Sequence, residues 1–168
     1  ADTDGRSGEA TVRKNKSGIV VKGLHDLAVR FSRCCNPVPG DEIVGFVTRG
    51  RGVSIHRTDC INVINLPEDE RGRLIDAEWQ VAENPTSTEQ YSTEIQIFAN
   101  NRIGLFADIS KVFTEKQIDI TSMNVRTSKQ GRATIIMTFD IHGTEELNRI
   151  TDKIRQIDGV LDIQRTTG

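Results

Sequence analysis

From Thr93 to Gln164 the apolar residues switch between alternating and helical spacing in a fixed order, and that order restricts the fold more than any other feature of the chain. Thr93 to Ala99 alternates, with Ile95 and Ile97 on one side. Ile103 to Gln117 then places Ile103, Phe106, Ala107, Ile109, Val112 and Phe113 at helical spacing. Ile120 to Thr127 and Arg132 to Ile141 are strand runs joined by Lys129-Gln130-Gly131, where glycine supplies the positive φ of a tight hairpin turn. Thr144 to Ile157 sets Leu147, Ile150, Ile154 and Ile157 on one helical face behind Thr144 as N-cap, and Val160 to Gln164 closes as a strand. The order βαββαβ is the split, ferredoxin-like arrangement, with two helices on one face of a four-stranded antiparallel sheet. The other face or an edge is left for partners.

The first half reads differently. An apolar share of 36% in 168 residues suits two small domains better than one large core, so the chain is expected to be α+β in two parts. Residues 1–17 are a polar tail, 18–81 a strand-rich module, 82–91 a linker around Asn84-Pro85, and 92–168 the second domain. Within the module, Ile19 to Val21, Leu27 to Phe31, Ile43 to Thr48 and Val53 to His56 are short strands. A short helix capped by Thr58 or Asp59 follows, then a last strand from Leu74 to Val81. No run reaches the roughly 18 apolar residues of a membrane helix, and no signal peptide opens the chain, so a cytoplasmic location is expected. Ala1 in place of Met reads as a fragment cut from a longer chain.

Three cysteines without an export signal point to thiol or metal chemistry rather than disulfides. Cys34 and Cys35 are adjacent, and His56 and Cys60 follow as H-x-x-x-C. The set suits zinc, which would stabilise a module with little core. Spacing alone leaves a second reading open: adjacent cysteines on a strand point to opposite faces, one buried and one exposed. A catalytic cysteine lacks an orienting third group. A thiol redox sensor is a further alternative. His25 and His142 are isolated and read as surface or turn residues.

Charge is uneven although the net value is −2. Nine basic residues face four acids between Val12 and Cys60, and Arg30, Arg33, Arg49, Arg51 and Arg57 flank the cysteines. Arginine grips phosphate bidentately, so RNA is one partner such a surface could take, held by its backbone because stacking aromatics are scarce; an Arg-Gly turn between strands is also ordinary surface chemistry. In the second domain, Asn100-Asn101-Arg102-Ile103-Gly104-Leu105 joins strand to helix. Its helix N-terminal amides and Gly104 could receive the carboxylate of a small amino acid, or simply cap the helix. It lacks the further glycines of a nucleotide-binding loop.

The run Cys34-Cys35-Asn36-Pro37-Val38-Pro39-Gly40-Asp41-Glu42-Ile43-Val44-Gly45-Phe46, with Gly50-Arg51-Gly52-Val53-Ser54-Ile55-His56-Arg57-Thr58-Asp59-Cys60, closely resembles the C-terminal region of long Rel/SpoT-family (p)ppGpp synthetase/hydrolases, the stringent-response enzymes. From Thr93 to about Thr166 the chain looks like their ACT domain. The resemblance implies that the first module is a zinc-finger or ribosome-intersubunit domain with Cys34, Cys35, His56 and Cys60 as ligands. It implies contact with the ribosome (23S rRNA near the A-site) and with uncharged tRNA. It also implies a paired ACT domain binding a branched-chain amino acid near Asn100 to Leu105, with Met123 and Asn124 at the interface. The family's GTP pyrophosphokinase and hydrolase domains have no counterpart here, so no catalysis is expected of this chain. It would act on its own catalytic domains by allosteric regulation.

Overall fold

The computed structural model describes residues 19–21, 28–50, 52–80 and 89–168. The expected tail (1–17), His25, Arg51 and linker residues 82–88 lie outside them.

The first module is a five-stranded sheet of β1 (Ile19–Val21), β2 (Ala28–Phe31), β3 (Ile43–Val47), β4 (Gly52–Arg57) and β5 (Leu74–Trp79), in the order β1-β5-β3-β4-β2. Among the described residues of this sheet, only the β2–β4 pair is parallel. One helical turn, α1 (Ile61–Ile64), follows β4. Its N-cap is Cys60, not Thr58 or Asp59, because the Asp59 carboxylate is paired with Arg57. The acidic stretch Glu68–Arg73 forms a 3-10 turn. Ile19, Val53, Ile55 and Ala77 are the fully enclosed core, with Phe31 and Trp79 among the residues packed around it.

The second domain comprises β6 (Tyr91–Asn100), α2 (Leu105–Glu115), β7 (Ile120–Thr127), β8 (Arg132–Ile141), α3 (Thr144–Arg155) and β9 (Val160–Arg165). Its antiparallel order β7-β8-β6-β9 is the ferredoxin-like one. Ile95, Ile97, Ile135, Met137 and Phe139 from the sheet meet Leu105, Ile109, Phe113, Ile150 and Ile154 from the helices, all at most 1% exposed. Gly131, at φ 76°, closes the β7–β8 hairpin as its sequence position requires.

Two helix starts differ from expectation. Gly104 adopts φ 83° and turns the chain before Leu105, so Ile103 stays outside α2 and is fully exposed. Thr144 is the first residue of α3 rather than its cap. Its amide, one of the donors a helix start leaves unpaired, donates to Pro39 O at 2.8 Å in the first module.

That bond belongs to an extensive junction between the halves. Val38, 0% exposed, packs into the second domain's core. Arg165 forms a two-pronged pair with Asp41, Nη1–Oδ1 2.6 Å and Nη2–Oδ2 3.0 Å. Trp79 stacks on Phe31 at 5.6 Å, and Tyr91 meets both rings edge-on. Burial, helped by the Glu89 carboxylate that accepts its hydroxyl proton, pushes the Tyr91 pKa up to about 12 from 10.0.

Two measurements test this junction. Gly40 has φ +101°, and a Cβ there would collide with Thr144 Oγ1, whereas one at Gly72 meets nothing. Gly40→Ala should therefore cost on the order of 2 kcal/mol in urea unfolding followed by Trp79 fluorescence, with Gly72→Ala nearly neutral. A raised tyrosine pKa stabilises the fold below pH 10, and that contribution is lost as pH rises toward about 12. Tyr91 is the only tyrosine, so the tyrosinate absorbance should titrate near about 12 in the folded chain and near 10 in urea.

Candidate metal centre

Cys34 and Cys35 do not lie on a strand. β2 ends at Phe31, and residues 32–36 make one helical turn closed by Asn36 N–H donating to Ser32 O at 2.9 Å. Asn36 exits that turn with φ 47°. Successive side chains in such a turn diverge by roughly 100°, rather than pointing to opposite faces as on a strand, so both sulfurs can face one point. Opposite them, β4 presents His56, and the N-cap position of α1 presents Cys60.

Cys34 Sγ lies 3.5 Å from Cys60 Sγ, 4.0 Å from Cys35 Sγ and 3.4 Å from His56 Nδ1. Cys35 Sγ is 3.8 Å from the same nitrogen, and all four ligand atoms fall within 4.8 Å of one another. A tetrahedral ion with ordinary Zn–S and Zn–N bonds has edges of about 3.8 Å between sulfurs and about 3.6 Å between sulfur and nitrogen. The cluster matches that size and could hold a metal.

Its surroundings favour the same chemistry. Ser32 Oγ lies 3.0 Å from His56 Nε2, so an Nε2–H donated to it leaves the Nδ1 lone pair facing the sulfurs. Burial holds the His56 pKa below its usual value, keeping the ring neutral as a ligand must be. Burial also raises the Cys35 and Cys60 thiols, and neighbouring sulfurs add to it. Backbone amides pull the other way: Arg57 N–H donates to Cys35 Sγ at 3.3 Å, and the Asn62 amide bonds Cys60. A divalent cation would replace the thiol protons and balance the thiolate charge.

The arginines divide. Arg30, Arg33 and Arg49 are exposed. Arg30 Nε bonds Ser54 Oγ at 3.3 Å, and Arg49 approaches Glu70 at 3.7 Å. Arg57, expected on the RNA-facing surface, is 6% exposed. Its Nη1 donates to both Cys35 O and Thr166 O at 3.2 Å, and its Nη2 pairs with Asp59.

In the second domain the turn Asn100–Leu105 is a formed structure. Arg102 donates to Asp158 O at 2.8 Å, Ile103 O at 3.1 Å and Asp108 Oδ2 at 2.7 Å. The amides of Asn100 and Asn101 donate to Gly159 O and Gly131 O, both at 2.7 Å. Met123 and its neighbour Asn124 are not brought to this turn. Strand pairing sets Met123 level with Ile95, about 17 Å along the sheet from Asn100 and about 10 Å across it. His142 is an exposed partner of Glu146 at 2.7 Å.

A family model described as the RelA/SpoT RIS domain matches residues 19–80, and an ACT domain model matches residues 87–165. The chain therefore carries a RelA/SpoT RIS domain followed by an ACT domain, and curated GTP pyrophosphokinases match it along most of its length. GTP pyrophosphokinase of Streptomyces coelicolor is 40% identical over 150 residues, which cover 89% of this chain and 17% of that protein. For the Escherichia coli K12 protein of the same name the values are 36% over 156 residues, 92% and 20%. The chain thus spans about a fifth of the length of these relatives, and it matches the regulatory RIS and ACT domains, not the catalytic ones. The crystal structure of the ACT domain from GTP pyrophosphokinase of Chlorobium tepidum is 22% identical, with a TM-score of 0.42, over 46% of this chain and 99% of that one.

Sequence reasoning missed Ser32 and the structural role of Arg57. Neither has a spacing signal, because each acts across about a score of residues on Cys35 or His56. Cobalt(II) titration should produce the absorption of tetrahedral thiolate coordination, weakening as pH falls because thiol protons must leave. Ser32→Ala should lower metal affinity by roughly tenfold or more in competition with a chromophoric chelator.

Proposed function

We propose that this chain is the regulatory region of a cytoplasmic stringent-response (p)ppGpp synthetase/hydrolase. Its RIS module contacts the ribosome and uncharged tRNA. Its ACT domain, as a homodimer, binds a branched-chain amino acid. The observation that carries this reading is a RIS domain with a converged Cys/His cluster, followed by an ACT domain, in a chain 36–40% identical to GTP pyrophosphokinases.

Zinc is the ion for the cluster, since three sulfurs and one imidazole nitrogen form a closed structural set without an open catalytic position. Cys34, Cys35, His56 through Nδ1 and Cys60 would hold it, and it would cross-link the module. Exposed Arg30, Arg33 and Arg49, with Arg51, supply the grip on 23S rRNA or tRNA phosphates. In the ACT domain, helix α2 begins at Leu105 behind its cap Gly104; the Asn100 and Asn101 amides are taken by Gly159 O and Gly131 O, so the amides at the helix start are the ones that would meet an amino-acid carboxylate. Fully exposed Ile103, and Met123 at 38% exposure, supply apolar surface for a second copy, which alone could bring Met123 and Asn124 to that turn. Docking or ligand binding acts by differential affinity for conformations of the catalytic domains.

A second reading is an intramolecular allosteric or oligomerisation module without RNA contact. It is favoured by Arg49 already lying near Glu70, and by Arg33 sharing an open cleft with Glu89 and Glu94.

Filter binding to ribosomes separates the two. Arg33→Ala with Arg49→Ala should lower the slope of log affinity against log salt by roughly 2. Unchanged binding removes the RNA contact and leaves the intramolecular reading. Calorimetry with valine, isoleucine and leucine should give heat with at least one of them, and silence with all three removes amino-acid sensing.

A further inference from the structure

The cysteine ligands come from two pieces of chain, the Cys34-Cys35 turn and Cys60 behind β4, and the last residues of the ACT domain bond to both. Arg165 Nη2 donates to Asn36 O at 3.1 Å, directly after the cysteine turn. Arg57 Nη1 joins Cys35 O to Thr166 O, 3.2 Å to each. The Ile61 amide, directly after Cys60, donates to Thr167 O at 2.8 Å. Residues 165–167 therefore tie together the same two pieces that one ion would join.

From this geometry we infer that metal binding to the Cys/His cluster and docking of the ACT domain on the RIS module are one coupled equilibrium, with Arg165–Thr167 as the latch. The inference rests on the metal reading above. Both constraints act on one internal coordinate, the separation of the cysteine turn from the His56–Cys60 segment. Whichever forms first removes conformational entropy that the other would otherwise have to remove. The coupling is reciprocal: the metal tightens docking, and docking tightens the metal, by the same factor.

The latch reaches beyond the cluster. The loop that leaves the cysteine turn carries Val38 into the ACT core, Pro39 O onto the first amide of α3, and Asp41 onto Arg165. Releasing the turn releases these contacts together. A thiophilic divalent metal thereby sets the placement of the ACT domain on the RIS module, in addition to stabilising the module itself.

The test uses this whole chain with zinc(II) alone. Zinc uptake is followed by chelator competition, and docking by hydrogen exchange at the Thr144 amide, which bonds across the junction and belongs to α3 rather than the metal module. One equivalent of zinc should slow Thr144 exchange by on the order of tenfold, with the Ile97 and Ile135 amides of the ACT core unchanged. Arg165→Met, and separately truncation after Arg165, should weaken zinc binding by a similar factor. Should a variant fail to fold, Thr144 exchange in the unsubstituted chain still decides. Full zinc uptake with unchanged Thr144 exchange overturns the latch and leaves the metal site standing. No zinc uptake overturns both.

Discussion

The pairing of Arg165 with Asp41 joins two halves whose sheets, among the described residues, share no hydrogen-bonded strand pair. Its side chains are 18% and 9% exposed, so both charges are largely removed from water, and such a pair is tolerated only when its polar atoms are met. Most are. Asp41 Oδ2 also accepts the Val38 amide at 2.8 Å, and Arg165 also reaches Asn36 O. Arg165 Nε is the atom of this pair left buried without a partner. Replacing one member would strand the other charge, while the loop between Asn36 and Asp41 would lose the fixed point around which it folds. Trp79 Nε1 donating to Asp41 O at 3.0 Å anchors that loop from the β5 side.

The two halves depend on this junction unequally. The ACT domain encloses a large core shared by its sheet and both helices, and Val38 only adds to it. Among the described residues, the RIS module's own core cluster encloses four apolar residues, Ile19, Val53, Ile55 and Ala77, spread across a five-stranded sheet. A core of that size offers little against the entropy of ordering the chain, so cross-links matter more here. A Cys/His cluster large enough for one ion and the docking of Phe31 and Trp79 against Tyr91 are two that the structure supplies, beside the Arg165–Asp41 pair.

Legibility in the sequence followed the range of the determining interaction. The ACT strands and hairpin were readable to within two residues, because alternation at Ile95 and Ile97 and the glycine at 131 are local signals with local causes. The helix starts were less legible: a local left-handed Gly104 delays α2 to Leu105, and the first amide of α3, at Thr144, is met by Pro39 O 105 positions upstream rather than by a cap. Both readings of adjacent Cys34 and Cys35 were open from spacing, since a strand and a helical turn orient neighbours differently. The Ser32–Asn36 bond and the left-handed Asn36 decide for the turn. Arg57 looked like surface charge because composition cannot register that its guanidinium fills a gap between Cys35 and Thr166.

Strand β9 connects the Asn100 turn, proposed above to meet an amino acid, to the Cys/His cluster. At one end Arg102 bonds Asp158 O and the Asn100 amide bonds Gly159 O, so the turn near Asn100 is fastened to the entry of β9. At the other end Arg165, Thr166 and Thr167 bond the residues around the cysteines. Six residues of strand separate them, about 20 Å. β9 lies at the edge of its sheet, and its register with β6 shifts between Phe98 and Ala99, beside its entry. The strand alone carries no signal, because coupling also needs an element with two arrangements that each site biases. In this chain the junction loop from Asn36 to Asp41 is the segment that the exit of β9 and the cysteine turn both border, and it is held by hydrogen bonds, one ion pair and the burial of Val38 rather than by strand pairing.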